Sequence, residues 1–390
     1  MRRPRRITIP ILSCAVALTG FVLCCPAPVR TQPSNSASQN DPDWRSAVIL
    51  RFDPGTTSSE ANRSGRYLSG ITHALESGWV ASIGANAISI GPLFTSGNES
   101  ASEFESAAID PELGSASEWK SLISAARRIE VPVIVIVAVP GAAPVAPTGD
   151  PDDQPRFATL ARFREADGVR HFFVAGNADD ISRSEVLRTG AALRRVMQES
   201  TPEGDPPWIA ASLDHPSFDA VIEEVPADHL ANIESLKLLY GSISDRIETD
   251  ARPTILSIPL DAGSTLSGAN VLLLPGAVQI AAGSVDAASA DFWRSIASFR
   301  KRHPAVSMGE HTDLANNTYS FARTSVDGRY DDAVIVALGA SGSTTLNVSR
   351  VFPDNAFLRD AVTGRTAFVS FGLATFAVES PGVLLIEEVR

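Results

Sequence analysis

From Trp44 onward, short runs rich in Val and Ile alternate with stretches whose apolar residues recur at helical spacing. The runs predict strands at Ala47–Arg51, Ala87–Leu93, Val131–Val139, Val169–Ala175, Ile209–Leu213, Thr254–Leu260 and Val278–Ala281. One further strand is poorly marked and is placed around Leu230–Ile233. Between the strands, Ser115-Ala116-Ser117-Glu118 has the spacing of a capping box at a helix start. Trp119, Leu122, Ile123 and Ala126 then share one face, with Lys120, Arg127 and Arg128 elsewhere. Ile181–Glu199 and Asp291–Arg302 read in the same way. Strand–helix alternation of this kind predicts a parallel barrel or sheet. The span from Trp44 to His303 suits the roughly 250 residues of a (β/α)8 barrel.

The texture changes after His303-Pro304. Tyr319–Arg323, Ala333–Leu338, Thr344–Val348, Leu373–Val378 and Gly382–Ile386 are short strand patterns separated by Gly, Asp and Ser turns. They predict a small antiparallel β-sandwich domain. The expected class is therefore α/β: a (β/α)8 TIM barrel over residues 44–304, then an antiparallel β domain over 305–390.

Residues 1–43 follow a different rule. Four arginines in Met1–Arg6 precede an uncharged apolar run from Ile7 to Cys25, and no acidic residue occurs before Asp41. The run approaches the roughly 20 residues that cross a bilayer and exceeds a typical signal-peptide core. It is expected to be a transmembrane anchor behind a cytosolic stub of residues 1–6, with a signal peptide as the alternative. Either way, basic residues stay inside and the folded part lies outside the membrane. Pro26 to Asp43 is polar and Pro/Ser/Gln-rich, as a flexible tether would be.

A net charge of −12 leaves no extended basic surface for nucleic acid. All three cysteines, Cys14, Cys24 and Cys25, lie in the apolar run. The folded part therefore has neither an internal disulfide nor a cysteine-based metal site. Cys24 and Cys25 at the outer boundary are candidates for a disulfide to a membrane partner, or are lipid-facing or palmitoylated thiols. Asn62, Asn98, Asn316 and Asn347 head glycosylation sequons, consistent with an extracellular domain. The six histidines are scattered without ligand spacing. No metal or cofactor is expected, and Asp214-His215 beside Ser212 reads as a solvated turn.

Several motifs, in order and at consistent spacing, resemble those of α-amylase-type glycoside hydrolases. Ala108-Ile109-Asp110-Pro111-Glu112-Leu113-Gly114-Ser115 resembles the lead into the third barrel strand. Ile83–Leu93 looks like the second strand, Pro275-Gly276-Ala277-Val278 like the turn into the eighth, and Phe299–Pro304 like the end of the last helix. Glycoside cleavage needs a pair of carboxylates across the sugar ring. By the resemblance, the nucleophile position falls on Phe172, in Gly168-Val169-Arg170-His171-Phe172. The proton-donor position falls on Ala211 or Ser212, and the third carboxylate on Asp261 within Pro259-Leu260-Asp261. That segment lacks the family's neighbouring residues, and Asp261 reads as a loop or helix-cap aspartate rather than a catalytic one.

That pattern is similar to the heavy-chain subunits of heteromeric amino-acid transporters, whose ectodomains look like short-loop amylases. The resemblance implies a chain that is not an enzyme. It implies an accessory subunit that binds, stabilises and traffics a polytopic amino-acid transporter at the plasma membrane. The membrane contact would run through Ile7–Cys25, with Cys24 or Cys25 bridged to the partner. The alternatives are a diverged α-amylase-family glycosidase and a secreted carbohydrate- or protein-binding module.

Overall fold

The computed structural model describes residues 44–54, 66–93, 109–139, 155–175, 183–200, 206–225, 233–249, 252–258, 270, 272–285, 290–326 and 331–389. The apolar run Ile7–Cys25, the tether, Cys24, Cys25, Asn62, Asn98 and Asp261 lie outside these residues. Among the described residues, no helix is long and apolar enough to cross a membrane.

Eight parallel strands close into a barrel in sequence order: β1 (Val48–Phe52), β2 (Ala87–Ile90), β3 (Val133–Ala138), β4 (His171–Ala175), β5 (Trp208–Ala211), β6 (Ala220–Glu224), β7 (Thr254–Ile258) and β8 (Ala277–Ala281). Closure is direct, since β1 pairs with β8 through Val48↔Val278 to Arg51↔Ala281. The helices between them are α1 (Tyr67–Glu76), α2 (Trp79–Ser82), α3 (Ala116–Arg128), α4 (Pro155–Asp167), α5 (Arg183–Ser200), α6 (Ile233–Thr249) and α7 (Ala290–Arg302). The weakly marked strand lies ten residues before its expected place. Ile233 instead opens α6, residues 230–232 lie outside the described residues, and Ala220–Glu224 completes the barrel.

Alternation along each strand sorts side chains between two cores. One core fills the lumen, with Ile49, Ala87, Ile134, Ile136, Phe173, Ala210, Ile222, Ile255 and Ala277. The other lies between strands and helices, where Leu50, Phe52, Phe172, Val174, Ala211 and Val278 meet Leu68, Trp119, Leu122 and Trp293. Trp44 plugs the lumen's base. Its indole stacks on Trp208 at 4.4 Å and tilts against His171 at 4.9 Å.

The start of α3 forms as its sequence dictates. Ser115 Oγ accepts from Glu118 N, and the Glu118 carboxylate accepts from Ser115 N at 2.7 Å. Hydrogen bonding to Ser115 is the main reason that the Glu118 carboxyl titrates below its ordinary value. Helix α1 crosses close to this turn, and Leu68 N donates to Leu113 O at 3.0 Å. Gly114, at φ 155°, sits against Leu68, where a Cβ would crowd that side chain.

A short helix, α8 (Ala305–Met308), leads into a six-stranded antiparallel sheet. Its strands are β9 (Glu310–Leu314), β10 (Ser320–Val326), β11 (Asp331–Asn347), β12 (Phe357–Asp360), β13 (Thr366–Phe368) and β14 (Leu373–Glu388), in the order β13-β12-β14-β11-β10-β9. The expected antiparallel β domain is present as one continuous sheet. β11 and β14 stay paired along their length, through register shifts at Leu338/Ala340 and Ala340/Gly342.

A charged cluster joins α7 to this sheet. His303 sits between two carboxylates, with Nδ1 2.7 Å from Asp332 and Nε2 2.6 Å from Glu387. Glu387 also accepts from Arg302 Nη2 at 3.1 Å and Arg359 Nε at 2.9 Å. Asp332 in turn accepts from Ala305 N at 2.9 Å. Burial alone would lower the imidazole pKa, but the two carboxylates outweigh it and raise the value above the ordinary one. Burial would raise the Glu387 pKa, yet hydrogen bonds from His303, Arg359 and Arg302 bring it down from 4.5 to about 2.

Candidate functional site at the barrel mouth

In a parallel barrel every strand ends at the same face, and ligands of this fold bind there. The last lumen-facing residues of the strands therefore define the candidate site. On β1, the alternation that points Ile49 inward also points Arg51 to the mouth, and Asp53 follows two residues later. Arg51 Nε is 2.8 Å from Asp53 Oδ1. Tyr67 on α1 braces this corner by donating to Phe52 O at 2.6 Å and accepting from Gly91 N at 3.0 Å. Burial pushes that phenol well above its ordinary pKa.

On β6, Ile222 faces the lumen, so Glu224 at the strand end faces the mouth and is exposed. Glu224 is level with Ser257 on β7, and Ser257 is level with Gln279 on β8. Gln279 Nε2 reaches across β1 to donate to Ser89 Oγ on β2 at 2.9 Å. Ser89, Ser257 and Gln279 are all buried. They place hydrogen-bonding side chains among the apolar residues of the lumen, above the buried His171 at its base.

Phe172 and Ala211 both lie in the outer core beneath the helices. β4 turns His171, Phe173 and Ala175 to the lumen, and β5 turns Trp208 and Ala210. Ser212 continues the lumen-facing alternation of β5 by one residue. Asp214 lies on the outer loop after β5, where Arg252 Nη2 meets its carboxylate at 2.6 Å. Glu223 points the opposite way from Glu224. In the β domain, Asn316 is half-buried; its Nδ2 donates to Ser320 Oγ at 2.7 Å, and its Oδ1 accepts from Asn347 N at 2.7 Å. Asn347 is exposed, and its Oδ1 caps Ser349 N and Oγ. Among the described residues, no group of three or more His, Cys, Asp or Glu side chains could hold a metal ion.

Glu224 reaches the mouth although Glu223-Glu224 looks like ordinary exposed charge in the sequence. The available signal was the alternation Ala220, Ile222, Glu224, which becomes visible once β6 is located.

No protein-family model and no curated relative matches the sequence. Solved structures do match. An α-amylase from Anoxybacillus superposes with a TM-score of 0.64 at 12% identity, covering 90% of this chain and 100% of its own. The α-amylase of Geobacillus thermoleovorans, in complex with acarbose, gives 0.60 at 13% identity, with 90% and 100% coverage. A debranching enzyme from Nostoc punctiforme gives 0.59 at 15% identity, with 88% and 99% coverage. The chain thus has an amylase-like TIM barrel with its accompanying β domain. The expectation of a chain that is not an enzyme is corrected here. The structures matched over nearly their whole length are amylases and a debranching enzyme, so the comparisons give no ground for excluding an enzyme; identity this low defines the fold alone.

Proposed function

We propose that this chain is a diverged carbohydrate-active enzyme of the amylase fold, acting on glycosidic bonds at the C-terminal mouth of its barrel. The observation that carries the reading is the pair of acidic side chains that strand alternation delivers to that mouth, Glu224 at the end of β6 and Asp53 just beyond β1. Cleavage of a glycosidic bond uses two carboxylates, one on each side of the scissile linkage. Arg51, paired with Asp53, supplies a fixed positive charge beside one of them. The molecules found in complex with similar structures, maltotriose, maltose and acarbose, direct the choice of α-glucans as the first substrates to test. The test is hydrolysis or transfer of maltooligosaccharides by the purified full chain. Turnover that falls at least a hundredfold in both Glu224→Gln and Asp53→Asn supports the reading, and turnover unchanged in both overturns it.

A second reading rests on the resemblance of the ordered barrel motifs, together with the N-terminal apolar run, to transporter heavy-chain subunits. In this reading the chain is an accessory subunit that stabilises a polytopic amino-acid transporter at the plasma membrane, with Cys24 or Cys25 bridged to it. Small residues such as Ala15, Ala17 and Gly20 would allow close helix packing. Extraction under non-reducing conditions tests it. A larger species that collapses on reduction is the expected result, and a lone monomer in both conditions would refute it.

A further inference from the structure

Two glycosylation sequons 31 residues apart in the chain meet in the β domain, where Asn347 N donates to Asn316 Oδ1 at 2.7 Å. Asn316 spends its other polar atom inward, since Nδ2 donates at 2.7 Å to Oγ of the fully buried Ser320. Both ends of that amide are therefore engaged, and a sugar on its Nδ2 would displace the bond at the start of β10. Asn347 is arranged the other way. It is exposed, and its Oδ1 accepts from Ser349 N at 3.2 Å and from Ser349 Oγ at 2.7 Å. A backbone N–H needs an acceptor, so the amide oxygen faces Ser349 and Nδ2 is turned to solvent.

The surface beside Asn347 is apolar where water favours polar groups. Asn347 on β11 stands directly opposite Leu373 on β14, so the two side chains leave the same face of the ribbon, with Cβ atoms about 5 Å apart. Leu373 is 44% exposed. Phe371 lies in the two-residue turn closed by Ser370 and Leu373, is 93% exposed, and holds φ at 52°, a conformation that favours Asn or Gly. The alternate residues Leu346, Ala374 and Phe376 fill the core of the β domain, which fixes this face outward.

We infer that Asn347 carries an N-linked glycan whose first sugars lie over Leu373 and Phe371, while Asn316 stays unmodified. The donor is a lipid-diphosphate-linked oligosaccharide. A C–N bond forms between Nδ2 and the anomeric carbon, the C–O bond to the diphosphate breaks, and Nδ2 gives up one of its two protons to the transferase. The amide oxygen takes no part, so both Ser349 bonds to Oδ1 survive in the product. A sugar ring suits this neighbourhood because its C–H groups pack on Leu373 and Phe371. Its hydroxyls remain in water or meet the exposed Thr345 and Thr375 on the same face. The inference requires passage through a glycosylating secretory compartment and is independent of any reaction at the barrel mouth.

The experiment is site-resolved glycopeptide mass spectrometry of the full chain expressed in cultured eukaryotic cells, with three variants. Asn347→Gln and Ser349→Ala each destroy one sequon, and Thr318→Ala destroys the other while keeping the Asn316 amide. The expected result is a glycan at Asn347 in the parent and in Thr318→Ala, its loss in the other two variants, and none at Asn316 in any of them. Ser349→Ala decides if Asn347→Gln does not fold. An unmodified Asn347 in the parent, or a glycan at Asn316, overturns the inference. Cover of the apolar pair is read from the binding of a hydrophobic dye. Ser349→Ala should bind more dye than the parent, and Leu373→Thr added to it should remove part of the increase. Equal dye binding by the parent and Ser349→Ala would show that the glycan does not lie over these residues.

Discussion

Replacing Glu387 by glutamine removes the charge on which α7, β12 and β14 converge. In the parent, this carboxylate meets His303, Arg302 and Arg359, while His303 holds Asp332 with its other nitrogen. A fall in pKa from 4.5 to about 2 corresponds to roughly 3 kcal/mol at about 1.4 kcal/mol per unit. The two arginines are 44% and 45% exposed, so solvent screening reduces the effective figure to about 1–2 kcal/mol. Glu387→Gln is therefore expected to lower unfolding stability by about 1–2 kcal/mol near pH 6, measured by urea denaturation.

The pH dependence carries a sign that can be checked. The Glu387 pKa is depressed, so its contribution is complete above its ordinary value of 4.5 and disappears as pH falls toward about 2. The His303 pKa is raised, so its contribution is complete below its ordinary value of 6.5 and is lost as pH rises through the higher folded value. Asp332, Arg302 and Arg359 are the other charged groups facing this pair. The stability gap between parent and variant should be widest between about pH 4.5 and 6.5 and narrow on both sides. A gap that is absent at pH 6, or constant from acid to alkali, would show that the cluster does not hold the sheet to α7.

Three further substitutions probe separate parts of the fold. Gly84 has φ 78°, and a Cβ there would overlap Ala297 Cβ on α7, so Gly84→Ala should cost about 3 kcal/mol or more in urea unfolding. Phe371 occupies a hairpin turn at φ 52° and is 93% exposed; Phe371→Asn should raise stability by about 0.5–1 kcal/mol, read as a higher Tm. Ser115→Ala removes the cap that accepts from Glu118 N, and a loss of about 1 kcal/mol is expected; an unchanged midpoint would mean that the crossing of α1 alone fixes this turn.

Strong apolar runs locate most of the barrel from the sequence alone. Seven strands begin within two residues of where Val- and Ile-rich runs place them, because such runs can be buried on both faces. β6 escaped because Ala-Val-Ile-Glu-Glu ends in two charges, and a five-residue strand with a solvent-facing end resembles a loop. β11 and β14 each read as two strands. Gly339 and Gly342, both at positive φ, and Pro381-Gly382 interrupt the apolar alternation without ending the hydrogen-bonded ladder. β9, β12 and β13 are short, and their mixed composition gives little periodic signal. At the mouth, family resemblance directs attention to Phe172 and to Ala211 or Ser212; strand phase turns Phe172 and Ala211 away from the lumen, while Ser212 keeps the lumen-facing phase of Ala210. Phase depends on where each strand starts, and an error of one residue reverses inside and outside. Gln279 was hidden for a related reason. A lone amide within Ala-Val-Gln-Ile-Ala looks like an incidental polar interruption until its neighbours across the sheet are known.

The ladder shared by β11 and β14 extends from Val334↔Glu387 to Asn347↔Leu373, so the C-terminal region has no seam at which one portion could detach from another. Amide protons at the two extremities of this ribbon should consequently exchange with deuterium together, in a single cooperative opening, despite standing more than a dozen residues apart along each strand.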